Sequence, residues 1–231
     1  MNRVKRNTVL IFLMVMFFAF LPAGQAGAKA QTAQDLLKDV NAKINSYENI
    51  GIDFKYALTN EAEGVEQVTK GSVIMEGDKY ALKLMGTTQL FDGNNVYTIV
   101  PEDEEVTISA VSDQDEDAIT PSRMLSFFND GYTQKMDITQ NVKGRTIQYV
   151  KLIPIDSNSD VKHSLLGVDK QTKHIYKLII TQKNGTAITI TVNTFKTDQP
   201  LAKNIFAFDE SKYKDYYICL LYTSPSPRDR G

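Results

Sequence analysis

The chain has 231 residues, which is enough for one domain of ordinary size or two small ones. Hydrophobic residues make up 42% of the sequence and aromatic residues 10%, which suits a globular protein with a substantial core. The formal net charge of −2 gives no electrostatic reason to expect nucleic-acid binding, which favours basic surfaces.

Residues 1–30 are typical of a secretory signal peptide. A basic start precedes an apolar, uncharged run over residues 9–21, and two small-x-small cleavage sites follow over residues 26–30. An uncleaved membrane anchor is the alternative, but a span usually needs about 20 apolar residues and this run is shorter. We therefore expect cleavage near residues 28–30 and export of the mature protein.

Residues 32–47 predict an amphipathic helix. Thr32 stands three residues before Asp35, which predicts a capping pair at the helix N-terminus. Apolar side chains recur at intervals of three and four residues and form one stripe: Ala33, Leu36, Leu37, Val40, Ile44 and Tyr47.

After this helix the hydrophobic period changes to two, which indicates β-strands. Within residues 50–58, apolar residues alternate with polar ones and predict one buried face: Ile50, Ile52, Phe54, Tyr56 and Leu58. Further short strand patterns, separated by turn residues, occupy residues 67–75, 79–85, 89–91, 96–100 and 105–111.

A second helix is predicted over residues 120–129, between two groups of strands. Thr120 is the expected N-cap, Pro121 fits the first helical position and Gly131 is the expected stop. Strand patterns then resume over residues 146–154, 163–169, 174–182 and 186–195, and Asn184-Gly185 favours a tight hairpin turn between the last two.

About ten strands joined mostly by tight turns predict an antiparallel sheet that is large enough to curl. Two helices are available to cover its concave face. We therefore expect one mainly β (α+β) domain over residues 31–218, built as a curved antiparallel sheet with an N-terminal helix and a short second helix.

The composition of the chain changes at Cys219. Residues 219–231 bring in Ser-Pro-Ser-Pro and Arg-Asp-Arg, which are typical of a disordered tail or of a sequence that is not native to the protein. We expect a tail of this kind. Because Cys219 is the single cysteine, an intramolecular disulfide is excluded.

Motifs for catalysis and metal binding find little support in the sequence. His163 and His174 lie in strand patterns without a nearby paired ligand, and phosphate-binding, nucleophile-elbow and zinc-ligand patterns are absent. Residues 113–117 begin like a calcium loop, but Ala118 and Met124 stand where that loop requires Gly and Glu. We expect no catalytic residue, no metal site and no cofactor.

The apolar side chains of the sheet and the helices have two interpretations. They can form an ordinary hydrophobic core, or a half-open antiparallel barrel can keep a cavity for an apolar ligand between its sheet and its helices. Sequence periodicity does not distinguish these two interpretations.

Several segments, in this order, make the chain resemble the periplasmic outer-membrane lipoprotein carrier (LolA-like) family. The most telling are GDKY at residues 77–80, DGNNVY at 92–97 and FAFD at 206–209, and the resemblance extends from about residue 31 to residue 218. Two positions depart from the family. Many members have Trp where this chain has Tyr97, and well-studied members have Arg-Pro where this chain has Gly77-Asp78. In those members the Arg helps to hold a helical lid shut, so this form of lid control is not carried over.

The resemblance implies an incomplete antiparallel β-barrel, closed by an N-terminal helix and a short lid helix, with an apolar cavity for acyl chains. It also implies a monomeric periplasmic carrier. Such a carrier receives lipoproteins from an ATP-driven release complex in the inner membrane and passes them to an outer-membrane acceptor. A lipid- or lipoprotein-sensing regulatory domain of the same fold is the alternative. An exported hydrolase is a third hypothesis, which lacks a recognisable triad or metal set.

From strand parity and the resemblance together, we expect one set of residues to line the acyl-chain cavity: Phe54, Tyr56, Tyr80, Leu82, Leu84, Tyr97, Leu178, Ile180, Ile188 and Ile190. The expected lid residues are Met124, Leu125 and Phe128. A shift of one residue along any strand would move its side chains to the other face.

Overall fold

Twelve β-strands form a single sheet in the part of the chain that the structure describes. The structure is a computed structural model that describes residues 31–110 and 120–221. The strands are β1 (Ile50–Asn60), β2 (Val65–Glu76), β3 (Lys79–Leu84), β4 (Thr87–Phe91), β5 (Asn95–Val100), β6 (Glu105–Ala110), β7 (Tyr132–Val142), β8 (Arg145–Pro154), β9 (Val161–Asp169), β10 (Ile175–Gln182), β11 (Ala187–Thr197) and β12 (Tyr217–Leu221). The helices are α1 (Ala33–Ile44) and α2 (Pro121–Met124), and 3-10 turns lie at Phe127–Asn129 and Glu210–Lys212.

The strand order across the sheet is β12-β6-β5-β4-β3-β2-β1-β11-β10-β9-β8-β7. Two consecutive runs, β1 to β6 and β7 to β11, therefore meet where β1 pairs with β11. All neighbours are antiparallel except β12 and β6, which are parallel. The sheet is curved and does not close, because β7 and β12 form its two edges. The predicted fold class, an incomplete barrel with a covering helix, is confirmed.

The prediction of one continuous helix over residues 120–129 is wrong. α2 covers only Pro121–Met124, and a separate 3-10 turn follows at Phe127–Asn129. Ser126 between them has φ −130°, outside the helical region, which ends the helix after one turn. Thr120 still caps the segment as predicted, because its Oγ1 accepts a hydrogen bond from the backbone N–H of Arg123 at 3.2 Å.

Two strands were not expected from the sequence. β7 is an edge strand whose side chains are mostly exposed, so its sequence lacks the alternation of a half-buried strand. β12 extends three residues beyond the predicted domain end at Ile218, and Cys219 lies opposite Thr107 of β6. The predicted signal peptide, the calcium-loop-like stretch at 113–117 and residues 222–231 lie outside the described residues.

α1 forms as its sequence predicts. Thr32 and Asp35 make a complete capping box, in which the Thr32 Oγ1 accepts from the Asp35 N–H at 3.1 Å and the Asp35 carboxylate accepts from the Thr32 N–H at 3.2 Å. The apolar stripe then packs on the sheet, with four buried residues: Ala33, Leu36, Leu37 and Val40.

Candidate functional site

The face of the sheet on which α1 packs, called here the inner face, is continuous across both runs of strands. Strand register places one row of paired residues on it from β8 to β2: Val150, Leu166, Leu178, Ile190, Tyr56 and Thr69. Ile190 packs against buried residues on both sides of the junction between β11 and β1. The strand parity expected for β1, β10 and β11 is therefore correct.

One half of the inner face is filled by the helices. α1 and Phe128 pack against β8, β9 and β10, and the sheet residues beneath them are buried: Val150, Leu152, Leu166, Val168, Ile175 and Leu178. Phe128 has no exposed surface, and its carbonyl oxygen accepts a hydrogen bond from Gln134 Nε2 at 2.7 Å. This half is an ordinary hydrophobic core.

The other half is apolar but only partly covered. Phe54 and Tyr80 are buried in a second cluster with Ile50, Ile52 and Met75. Beside them, six inner-face residues remain partly exposed and form what we call the apolar patch: Tyr56, Leu82, Leu84, Ile180, Ile188 and Ile190. Nine of the ten predicted cavity residues thus lie on the inner face, three of them buried (Phe54, Tyr80 and Leu178) and six in the patch.

Tyr97 lies on the opposite face, so the sequence-based placement of this residue in the cavity is wrong. Its neighbour Val96 packs against the inner-face cluster, and alternation along β5 turns Tyr97 outward. There its ring stacks on Phe208 with centroids 4.8 Å apart, and its hydroxyl donates a hydrogen bond to Asp92 Oδ2 at 2.9 Å. Tyr97 therefore holds the chain after β11 against the outer face.

Asp92 in the turn before β5 is an acceptor for several groups. Partial burial opposes its ionisation, but hydrogen bonds from the N–H groups of Asn95 and Asn94 and from Tyr97 outweigh this effect and lower the pKa of Asp92. Burial, followed by the hydrogen bond to Asp92, raises the pKa of Tyr97. The hydrogen bonds of Asp92 therefore stabilise the turn of this hairpin.

Of the three predicted lid residues, Leu125 contacts both halves of the inner face. Met124 and Leu125 are partly buried against the helix-covered cluster, and Leu125 also packs against the cluster around Phe54. The three predicted lid residues therefore differ in environment, since Phe128 is fully buried and the other two are partly exposed.

The C-terminal end of α1 is attached to the sheet through His174, a role that the sequence did not suggest. The hydroxyl of Tyr47 is hydrogen-bonded to His174 Nε2 at 2.7 Å, and the His174 ring stacks on Phe195 at 4.1 Å. Lys173 also forms an ion pair with Asp39 of α1 at 3.3 Å. Burial, together with the nearby Lys43, lowers the pKa of His174, so the ring is neutral at pH 7.

Two clefts open along the sheet. The larger, of about 850 Å³, lies beside the end of α1 and the β2–β3 turn, and its lining combines apolar residues such as Met75, Phe91 and Leu125 with the charged Lys79 and Arg123. The smaller, of about 500 Å³, includes Phe54 and Leu84 in its lining. Both clefts have volumes typical of ligand sites.

A row of uncharged polar side chains borders the apolar patch and was missed by the sequence analysis. Leu82 of the patch pairs with Gln89, Gln89 with Thr98, and Thr98 with Thr107, all on the inner face. We call Gln89, Thr98 and Thr107 the polar row. The alternation of β4 to β6 indicates two faces, but only their pairing with β3 shows which face continues the apolar patch.

Within residues 31–110 and 120–221, no group of His, Cys, Asp and Glu side chains is arranged to hold a metal ion. None of the helices in these same ranges is long and apolar enough to cross a membrane. The described inner face offers apolar surface and neutral hydrogen-bonding groups, which suit binding of an apolar or amphiphilic ligand.

A known protein family matches the chain. The model of the family described as outer membrane lipoprotein carrier protein LolA matches residues 85–209, which is more than half of the chain. No curated protein matches the chain.

Several solved structures are similar to the chain at low sequence identity. An uncharacterized conserved protein from Thermus thermophilus is 10% identical with a TM-score of 0.51, over 82% of this chain and 99% of that one. Lipoprotein LppX from Mycobacterium tuberculosis is 11% identical with a TM-score of 0.49, over 74% and 97%. A putative outer membrane lipoprotein-sorting protein domain from Vibrio parahaemolyticus is 12% identical with a TM-score of 0.42, over 79% and 98%. The Thermus structure supports the fold.

Proposed function

The chain belongs to the outer membrane lipoprotein carrier protein LolA family, and from this premise we propose that it binds the acyl chains of lipoproteins on its inner face and carries them across the periplasm. The observation that carries the proposal is the apolar patch. It lies partly exposed on the same face that is covered elsewhere by α1 and by residues 120–129, which we call the lid segment. A domain that leaves such a surface partly uncovered is suited to an apolar ligand.

The physical reason for a carrier is the cost of acyl chains in water, which is about 0.8 kcal/mol for each methylene group. Tyr56, Leu82 and Ile190 offer partly exposed apolar surface on three different strands of the patch. Met124 at the edge of the lid can adapt to irregular chains, because its thioether side chain is unbranched and flexible. The patch can therefore accept chains that differ in length.

Release of the ligand requires that the empty state is also stable. Leu125 contacts both clusters, so a small movement of the lid segment changes how much of the patch is covered. We propose that Met124 and Leu125 pack over the patch when no ligand is bound and contact the acyl chains when one is. Phe128, fully buried in the helix-covered half, anchors the segment while they move.

The route that we propose is the one that the family resemblance implies. An exported monomer receives lipoproteins from an ATP-driven release complex in the inner membrane and delivers them to an outer-membrane acceptor. Members of this family are carriers or binding proteins, and the proposed role of this chain requires no catalytic residue.

The test is extraction of a labelled, acylated lipoprotein from inner-membrane vesicles that contain the release complex. We expect the chain to bring the lipoprotein into the soluble fraction only when ATP is present. Ile190→Ser should reduce extraction several-fold, because it places a polar group in the patch. Ile179→Ser is the matched control, since Ile179 is also partly buried but faces the other side of the sheet on β10. A folded wild-type chain that extracts nothing with ATP would exclude the proposed function.

A further inference from the structure

Building on the proposed function, we propose that the inner face selects ligands whose acyl chain is joined to a neutral ester or amide group, and that the polar row binds this group. The apolar patch would hold the chain, and Gln89 and Thr98 would hydrogen-bond to the carbonyl oxygen next to it. This assigns a specificity role to two residues that contribute little to the hydrophobic core.

The position of the polar row is the first argument. Leu82 and Gln89 are directly paired across β3 and β4, so the apolar surface ends where the row begins. Thr98 follows on β5. Directly opposite residues in an antiparallel pair have Cβ atoms about 5 Å apart, so one small polar group at the end of an acyl chain can reach both Gln89 and Thr98.

The hydrogen bonds of the row are the second argument. Tyr80 Oη donates to Gln89 Oε1 at 3.0 Å, and Gln89 Nε2 donates to Thr98 Oγ1 at 3.4 Å. This orientation fixes the Gln89 carbonyl toward Tyr80 and its amide toward β5. A second amide hydrogen of Gln89 and the hydroxyl hydrogen of Thr98 are then left to donate to a ligand. The row therefore presents donors, which match a carbonyl acceptor.

The charge of the inner face is the third argument. Across β1 to β5, the inward positions given by the register carry no charged side chain. At the far end of the row, the acidic Glu105 accepts a hydrogen bond from Thr107 at 3.2 Å. A carboxylate or phosphate bound at the row would lose water without gaining a cation from the inward positions of these strands, and it would approach Glu105. A neutral ester or amide avoids both costs.

Two kinds of molecule carry this chemistry, a lipid-modified peptide and an acylglycerol. The experiment therefore compares three probes with acyl chains of equal length: a monoacylglycerol, a synthetic peptide with an ester-linked acyl chain, and the free fatty acid at a pH where it is ionised. Each displaces a fluorescent apolar dye from the full chain. We expect one or both esters to bind about tenfold more tightly than the fatty acid. The ester that binds more tightly shows whether the ligand is a lipid-modified peptide or an acylglycerol.

Variants test the residues. In the double variant Gln89→Leu, Thr98→Val, we expect the affinity for the esters to fall about tenfold. The affinity for the fatty acid should be unchanged or higher. Thr189→Val is the control, because Thr189 is a partly buried strand threonine on the opposite face. Should the double variant fail to fold, Thr98→Val compared with Thr98→Ser, which keeps the hydroxyl, measures the same loss.

The outcomes separate this inference from the proposed function. Equal binding of fatty acid and esters, or an unchanged preference in the Gln89→Leu, Thr98→Val variant, would overturn the role of the polar row and still support an acyl-chain carrier. Failure of all three probes to displace the dye would overturn both.

Discussion

The phenyl ring of Phe54 lies over Gly71 on the neighbouring strand and occupies the space where a side chain would be. A Cβ placed on Gly71 would clash with Phe54 Cζ and would lie 2.6 Å from Phe54 Cε2. The two residues are paired across β1 and β2, and the φ of Gly71 is not positive. The added Cβ would also lie 3.0 Å from the Lys83 carbonyl oxygen, so the position favours glycine because of close neighbours, the Phe54 ring foremost, and not because of an unusual backbone conformation.

We expect Gly71→Ala to destabilise the domain by about 1–3 kcal/mol, because the added methyl group forces the Phe54 ring out of its position. Alanine restricts the unfolded chain more than glycine does, so the steric cost must exceed a gain of about 0.5–1 kcal/mol. Urea unfolding measures the change. The variant should also bind acyl chains less tightly, since Phe54 supports the apolar patch.

The second arm of this prediction is a double-mutant cycle. Phe54→Leu shortens the side chain over Gly71, so Gly71→Ala should cost clearly less in the Phe54→Leu background than in the wild type. Equal costs in both backgrounds would show that the ring is not the reason for the glycine.

His174 should make stability depend on pH. The folded state lowers the pKa of His174 through burial and the nearby Lys43, with Asp169 opposing, whereas the unfolded chain has a pKa of about 6.5. The stabilisation of the folded state by the neutral His174 ring is therefore fully present above about pH 6.5. It is lost as the pH falls from there through the lowered pKa of His174 in the folded state. At lower pH the charged ring would lie against Tyr47 and Phe195 and near the cationic Lys43.

The chain has two histidines, so His163→Gln leaves His174 as the only one. In that background we expect His174→Gln to flatten the pH dependence of the unfolding free energy below about pH 6.5 while lowering stability at about pH 8. An unchanged slope after this substitution would contradict the coupling of His174 to folding.

The sequence predicts the alternation within each strand well, because alternation is a local property of the chain. Tyr56, Leu82 and Ile190 lie on the inner face as their parity indicates. Parity gives two faces, however, and does not say which of them is inner. Tyr97 shows this, since the pairing of β5 with β4 turns Val96 toward the core and Tyr97 outward.

Contacts that are distant in sequence were not predictable from local patterns. The sequence around His174 predicts a strand, and only the fold brings His174 to Tyr47, three residues after the end of α1. β7 was missed because it is a largely exposed edge strand, so burial imposes little hydrophobic alternation on it. The polar row likewise consists of ordinary strand residues until the register of β3 to β6 places them together.

Phe208 should contribute to stability and not to ligand binding. Its ring lies between Tyr97 and Tyr213, stacked at 4.8 and 5.3 Å, on the face away from the apolar patch. We expect Phe208→Ala to lower the unfolding free energy by about 2 kcal/mol, from lost burial and lost stacking. Dye displacement should give the same acyl-chain affinity as the wild type, and a large loss of affinity in a folded sample would place the outer face in the binding site.

Phe128 and Leu125 lie in one lid segment, and their different burial predicts different phenotypes. Phe128→Ala should cost about 3–5 kcal/mol, because it removes a ring with no exposed surface from the core under α1. Leu125→Ala should cost clearly less, since Leu125 is partly exposed, but it should weaken acyl-chain binding and speed dissociation. Stability comes from urea unfolding, and the two binding properties come from dye displacement and stopped-flow release. If Leu125→Ala left both binding properties unchanged, the lid segment would be only part of the core, and the proposed movement of this segment over the patch would be wrong.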